Sequence, residues 1–215
     1  MHVEVWTDVV CPWCYIGKRR LEQALADAGV DATITHRAFQ LDPSAVSNGE
    51  RTVDHLAHKY GVSPAEAEAM MANVAQVAAG VGLHYRLGDT TSGNTVDAHR
   101  LVLWAQEQGQ DQAQALLEAL YDAYFVQAHP VFSADDLIPV VEQIGLDAEA
   151  ARAMLASDAY REQVEDDQRL ARDFGANGVP FFVFDRAYGI SGAQPAEVFA
   201  ATIAKAREGA DGDDA

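Results

Sequence analysis

The sequence predicts an α/β fold interrupted by a large all-helical insertion, and three observations carry that reading. Residues 3–39 read as strand, helix, strand. Residues 49–158 carry helical periodicity and helix caps almost throughout. Residues 179–207 return to an apolar strand, a short second strand and a closing helix. Neither end supplies a complete sheet alone, so an insertion accounts for the layout better than two domains in series. The expected division is 1–48 and 159–208 for the two parts of the sheet-bearing domain, 49–158 for the helical insertion, and 209–215 for a disordered acidic tail.

Each element has a local reason. Val3 to Trp6 alternates and is rich in β-branched and aromatic residues, as a strand requires. From Pro12 to Ala28, Ile16, Leu21, Leu25 and Ala28 recur at helical spacing, and Gly29 supplies a C-terminal stop. Ala32 to Phe39 reads as a second strand. Ser63-Pro64-Ala65-Glu66 combines a capping box with proline at the first helical position and opens a helix to about Ala79. Residues 84–93 are turn-rich, and Asn94 is expected to cap a helix bearing Ala98, Leu101, Val102 and Ala105. Ala113, Leu116, Leu117, Leu120, Tyr121 and Tyr124 form the clearest amphipathic stripe. Ser133 and Asp136 cap a further helix, and two more follow at about 147–156 and 159–174. Val179 to Phe184 is a fully apolar run suited to a buried strand, with Tyr188 to Ser191 as its hairpin partner. Pro195 then opens a last helix to about Arg207, beyond which the small, acidic residues favour disorder.

The chain has 215 residues, of which 49% are hydrophobic and 22% charged, an ordinary globular composition. Fifteen basic against 33 acidic residues give a net charge of −18, a field that repels nucleic-acid phosphates and anionic membrane surfaces. No apolar run approaches the ~20 residues of a membrane span. Glu4 and Asp8 stand where a signal peptide needs an uncharged core, so the expected location is cytoplasmic, with neither nucleic acid nor membrane as partner.

The 2 cysteines form one motif, Cys11-Pro12-Trp13-Cys14. Secreted disulfide scaffolds need more of them, spaced further apart, and a four-sulfur zinc site is excluded by count. A redox pair, two ligands of a mixed metal site, or two structural thiols remain. At a strand-to-helix junction the helix amides and macrodipole favour negative charge on Cys11, lowering a thiol pKa and generating the attacking thiolate. Cys14 lies one turn later on the same face, more covered, as suits a resolving thiol. Gly178-Val179-Pro180 enters the apolar strand through a proline. Either a strand-initiating trans proline or a cis proline that turns Val179 outward fits that spacing.

Strand, CxxC, helix and a late Val-Pro resemble the thioredoxin superfamily, and the helical insertion resembles its DsbA branch. The segments Asp8 to Gly17, Phe39-Gln40-Leu41-Asp42-Pro43, Asn94 to Arg100, Tyr124-Phe125, Gly178 to Val183 and Ser191-Gly192-Ala193-Gln194 resemble the FrnE-like proteins of the DsbA family, in the same order. The resemblance implies a thioredoxin-like fold and thiol-disulfide oxidoreductase or isomerase activity through Cys11 and Cys14. It also implies a cis Val179–Pro180 bond, and substrate contacts from Pro12, Trp13, Val179 and Pro180. Expected substrates are thiol or disulfide proteins or small molecules, with a thioredoxin or glutathione system as reducing partner. No tightly bound cofactor is expected beyond the redox-active disulfide Cys11–Cys14, and glutathione is a candidate co-substrate. The chain departs from the family at Gln127 to Phe132, where many members carry a Gly-x-Asp/Asn-Ile turn.

Kappa-class glutathione transferases and 2-hydroxychromene-2-carboxylate isomerases belong to the same branch and resemble this chain around Asn94 to Arg100. They imply an alternative, a glutathione-dependent isomerase or transferase acting on a small aromatic or polyketide-like substrate in a cleft near Asn94 and His99. Those relatives normally place serine where Cys11 stands, which favours redox chemistry. His55 and His58 share a helical face, but no Cys or carboxylate nearby completes a set, and no metal site is expected. Asp8 is either a charge and proton relay beside Cys11 or a solvated loop residue.

Overall fold

In the computed structural model, which describes the backbone of residues 1–213 and residues 1–209 in full, both edges of the first strand are occupied. Strand β1 (His2–Thr7) pairs in parallel with β2 (Thr33–Ala38), from His2 opposite Thr33 to Thr7 opposite Ala38. On its other side β3 (Phe181–Phe184) runs antiparallel, with Val3 opposite Phe184 and Trp6 opposite Phe181, and β4 (Tyr188–Ser191) closes the hairpin. The order is β2-β1-β3-β4.

The period-2 alternation of the strands divides the core between two faces. Val3, Val5, Phe182 and Phe184 meet Leu21, Ala24 and Leu25 of α1 (Pro12–Ala28) and Phe199, Ile203 and Ala206 of α9 (Ala196–Asp213). Trp6, Phe181 and Val183 meet Ala171 of α8 (Arg161–Asp173), and the Trp6 indole donates to the Asp167 carbonyl at 2.8 Å. Glu4 is buried on this second face. Burial pushes its carboxyl up, but the Arg186 and Arg37 guanidiniums outweigh that and hold it below the usual carboxylate range.

Between the sheet's two parts lie α2 (Thr52–Tyr60), α3 (Pro64–Ala79), α4 (Val96–Gln108), α5 (Gln110–Tyr121), α6 (Ala134–Gln143) and α7 (Ala148–Leu155). Both expected capping boxes form: Ser63 with Glu66 opens α3 and Ser133 with Asp136 opens α6. The insertion's core is continuous with the N-terminal end of α1, since Val9, Cys14, Tyr15 and Ile16 pack with Leu101, Leu117, Leu120 and Phe125.

Three details differ from the sequence reading. The cap position of α4 is Thr95, whose side chain makes no capping bond; Asn94 accepts from the Val96 amide at 3.0 Å from one residue further out. The stripe that begins in α5 leaves α-geometry after Tyr121 and passes into a π-turn, Asp122–Val126, which carries Tyr124 and Phe125. The last helix extends beyond Arg207, so residues 209–213 of the expected disordered tail are helical, while 214–215 lie outside the described residues. No helix among the described residues is long and apolar enough to cross a membrane.

Candidate active site

The Cys11–Cys14 turn is built where β1 gives way to α1. The Cys11 amide donates to the Asp8 carbonyl at 3.0 Å, and Cys11 takes the extended N-cap position with φ −88° and ψ 110°. Pro12 follows at the first helical position, where its missing amide hydrogen costs nothing. The Cys14 amide donates back to the Cys11 carbonyl at 2.9 Å. The sulfur of Cys11 therefore faces the open amide end of a 17-residue helix with no acidic side chain in its first turn. Both cysteines are free thiols. Cys14 is wholly enclosed; burial, and then the neighbouring Cys11 sulfur, push its pKa well above the ordinary thiol range.

The second wall comes from the far end of the chain. The Val179–Pro180 bond is cis, as the resemblance implied, and the Cys11 thiol donates to the Val179 carbonyl at 3.6 Å. Among the described residues no hydrogen bond engages the Val179 amide, whereas the Pro180 carbonyl is tied down by the Gly192 amide at 2.8 Å. Gly17 permits this approach of α1 to the strand. A Cβ there would lie 3.0 Å from both the Pro180 ring and the Phe182 ring.

Cys11, Pro12, Trp13 and Val179 line one cleft of about 310 Å³, completed by Leu56, Met70, Met71 and Leu87. Trp13 stands at its mouth, 38% exposed, and so do the exposed side chains of Leu41, Tyr60 and Met70. Val10, Leu41, Thr52, Leu56, Lys59 and Tyr124 also border an inner annex of about 100 Å³ that reaches Asp8, Ser92 and Thr95. The Cys11–Cys14 turn is tied to the insertion by Tyr85, whose hydroxyl donates to the Pro12 carbonyl at 2.9 Å.

Asn94 and His99 sit apart from the cleft. Asn94 accepts from Gln40 at 2.9 Å and donates to the Pro43 and Ala45 carbonyls, so its amide clamps the 40–47 loop and lines neither cavity. His99 is buried behind the redox turn with Nε2 3.3 Å from Asp8 Oδ1, and Asp8 Oδ2 accepts from the Leu41 amide at 2.8 Å. Asp8 is thus a buried residue, in contrast to the solvated-loop reading. His55 and His58 each turn Nδ1 to within 3.4 Å of Glu50, a carboxylate overlooked in the local sequence reading.

Met70, Met71, Tyr60 and Tyr85 were not singled out by sequence. The two methionines and Tyr60 follow ordinary helical spacing on α2 and α3, and only the tertiary docking of those helices turns them toward Cys11. The segment that departs from the family pattern packs inward, with Val131 and Phe132 buried and His129 bonded to the Ala123 and Asp136 carbonyls.

The profile of the DSBA-like thioredoxin domain matches residues 2–204. Among solved structures, the probable DsbA oxidoreductase SCO1869 from Streptomyces coelicolor is 44% identical, with a TM-score of 0.89 over 97% of this chain and 90% of that one. A 2-hydroxychromene-2-carboxylate isomerase is 19% identical with a TM-score of 0.70, covering 100% of this chain and 98% of its own. The cytosolic disulfide reductase DsbM from Pseudomonas aeruginosa, in its structure with GSH, is 20% identical with a TM-score of 0.67, covering 96% and 100% respectively. The last two are similar to this chain in fold.

Proposed function

The chain belongs to the DsbA-like thioredoxin domain family of thiol-disulfide oxidoreductases, and from that premise we propose that it exchanges disulfides through Cys11 and Cys14 as a cytoplasmic, FrnE-type enzyme. One observation carries the reading: a nucleophile at a helix N-terminus faces the carbonyl that precedes a cis proline, with a second thiol enclosed behind it.

The thiolate of Cys11 attacks one sulfur of a substrate disulfide, and the other sulfur leaves with the bonding pair and takes up a proton. Cys14, once deprotonated, attacks Cys11 in the mixed disulfide, releases the second substrate thiolate and leaves Cys11–Cys14 oxidised. A thioredoxin or glutathione system then returns the pair to the dithiol. Run in reverse, the same steps oxidise a substrate dithiol. The free amide of Val179 offers an extended substrate segment a backbone partner beside Cys11, while Pro12 and Trp13 border the bound thiol. Cytoplasmic placement is supported by the fold shared with a cytosolic disulfide reductase.

The test is a redox titration in glutathione buffers that follows Trp13 emission, with Cys14→Ala in parallel. A reversible two-electron transition is expected, and Cys14→Ala should accumulate a mixed disulfide on Cys11. Its midpoint, within the roughly −270 to −120 mV spanned by such pairs, sets the direction of electron flow. The largely apolar cleft of about 310 Å³ beside Cys11 favours a second reading, glutathione-dependent isomerisation or transfer on a small aromatic or polyketide-like molecule. Absence of a transition, with turnover of such a substrate unimpaired in Cys14→Ala, would establish that reading instead.

A further inference from the structure

The chain has 33 acidic and 15 basic residues, yet the cleft beside Cys11 reverses that balance. Among the described residues no carboxylate lines it, and Lys59 at the end of α2 is its one charged side chain. The carboxylates that share a neighbouring hollow with Lys59 are engaged elsewhere. Glu50 faces His55 and His58 at 3.4 Å each, and Asp42 accepts from the Ser44 amide and hydroxyl. Lys59 itself enters no ion pair among the described residues. The hydroxyls of the cleft are also spent, Thr52 on Tyr124 and Thr90, and Tyr124 on the Thr91 carbonyl at 2.9 Å. Apolar side chains make up most of the remaining wall, Leu56, Met70, Met71 and Val74 among them. Four of the seven exposed large hydrophobic side chains among the described residues, Trp13, Leu41, Tyr60 and Met70, gather here, an apolar patch centred on a nucleophile.

We propose that the substrate drawn to Cys11 is a small aromatic disulfide whose carboxylate pairs with Lys59. The inference rests on the redox reading given above and names its substrate class. An apolar body displaces water from Leu56, Met70 and Val74, which supplies affinity with little orientation. The carboxylate, paired with the one cation of the cleft, fixes which sulfur meets Cys11. A net charge of −18 repels anions from the surface at large, so an unpaired cation beside the nucleophile selects for them locally. Glutathione disulfide fits this cleft less well. Its γ-glutamyl ammonium needs an acidic partner, and none lines the cleft among the described residues.

The Cys11 thiolate attacks one sulfur of the bound disulfide, the substrate S–S bond breaks, and the other sulfur departs as thiolate with the bonding pair. Cys14, having lost its proton, attacks Cys11 and expels the second substrate thiolate. Two electrons pass from the protein dithiol to one substrate disulfide, which gives two substrate thiols and the Cys11–Cys14 disulfide. Lys59 takes no part in that exchange. It touches the carboxylate alone and determines specificity.

Stopped-flow mixing of the reduced protein with two aromatic disulfides tests the pairing. One is 5,5′-dithiobis(2-nitrobenzoate), which carries carboxylates, and the other is 4,4′-dithiodipyridine, which is neutral near pH 7. The readout is the ratio of their second-order rate constants at Cys11, in which any misfolded fraction cancels. Lys59→Met should lower that ratio about fivefold and Lys59→Glu at least about tenfold. In the unmodified protein the ratio should fall as salt is added. Lys205→Met makes the same charge change on α9, outside the cleft, and should keep the unmodified ratio. An unchanged ratio in Lys59→Met, or an equal fall in Lys205→Met, overturns the pairing. Oxidised glutathione supplies the last arm, with 2-mercaptoethanol as the reference thiol. The protein's preference for the nitrobenzoate disulfide over oxidised glutathione should exceed that of the reference at least about tenfold, and the opposite order overturns the aromatic assignment. If the unmodified protein never releases the second thionitrobenzoate, the Cys11–Cys14 redox reading has failed, while the Lys59 ratio still decides the ligand class by itself.

Discussion

Two histidines of this protein are almost equally buried and live in opposite chemical circumstances. His99, behind the Cys11–Cys14 turn, shares a contact with the Asp8 carboxylate at 3.3 Å. His36, on β2 where the sheet meets α1 and α5, has neither ring nitrogen bonded to any group among the described residues. It borders a small cavity of about 20 Å³ shared with Thr7 and Lys18. Burial, followed by the charge of Lys18, pushes the His36 pKa down to about 4. A buried imidazole next to a carboxylate has a partner for its ring nitrogen, whereas one without such a partner is held neutral and is a liability in acid.

The largest expected effect comes from that liability. The unfolded chain takes up a proton on His36 near pH 6.5 and the folded chain only near 4, so the unfolded state binds more protons between those values. Stability therefore falls as pH drops through that window, by about 3 kcal/mol in all. Urea unfolding at several pH values should show this loss, and His36→Leu should flatten it. An acid limb left unaltered by that substitution would place the sensitivity elsewhere.

Next in size is a difference of sign. His99→Leu leaves a buried carboxylate oxygen without its partner and should cost about 2 kcal/mol near neutral pH. His36→Leu removes two unpaired nitrogens and should be neutral or stabilising by about 1 kcal/mol. Denaturant midpoints measured side by side decide the matter, and the same sign for both would break the contrast.

The smallest effect sharpens the boundary between the two regions. Gly17→Ala presses a methyl against the rings of Pro180 and Phe182, each 3.0 Å away. A cost of about 1 kcal/mol is expected, with slower disulfide exchange and an unchanged acid limb. If the acid limb moved as well, the redox end and the His36 region would be mechanically coupled.

The same contrast explains what could be read from the sequence. Elements whose causes are local were legible: the capping boxes at Ser63 and Ser133, the proline-led helix after Cys11, and the apolar strand ending at Phe184 all form as read. The placement of Cys11 and Cys14 was legible for the same reason, because a four-residue motif and a strand-to-helix junction define it. Burial of His36 and Asp8 was not, since both are polar residues covered by elements distant in sequence. Asn94 was read as a cleft residue, but its amide is occupied by carbonyls of the 40–47 loop, a pairing invisible to periodicity. Met70 and Met71 look like any amphipathic helix until α3 docks.

One feature of the sheet bears on the life of the nascent chain. The central strand β1 leaves the ribosome well before its neighbour β3, because most of the chain separates them. The residue that faces Cys11 lies 168 positions downstream, a delay of roughly 10–30 s at ordinary elongation speeds. Throughout that interval the two thiols are unguarded cysteines on a tethered polypeptide, open to any oxidant present. Only when the β3–β4 hairpin slots beside β1 does the Val179 carbonyl come to face Cys11, so a chain broken off before Val179 would carry both thiols without the wall that faces them.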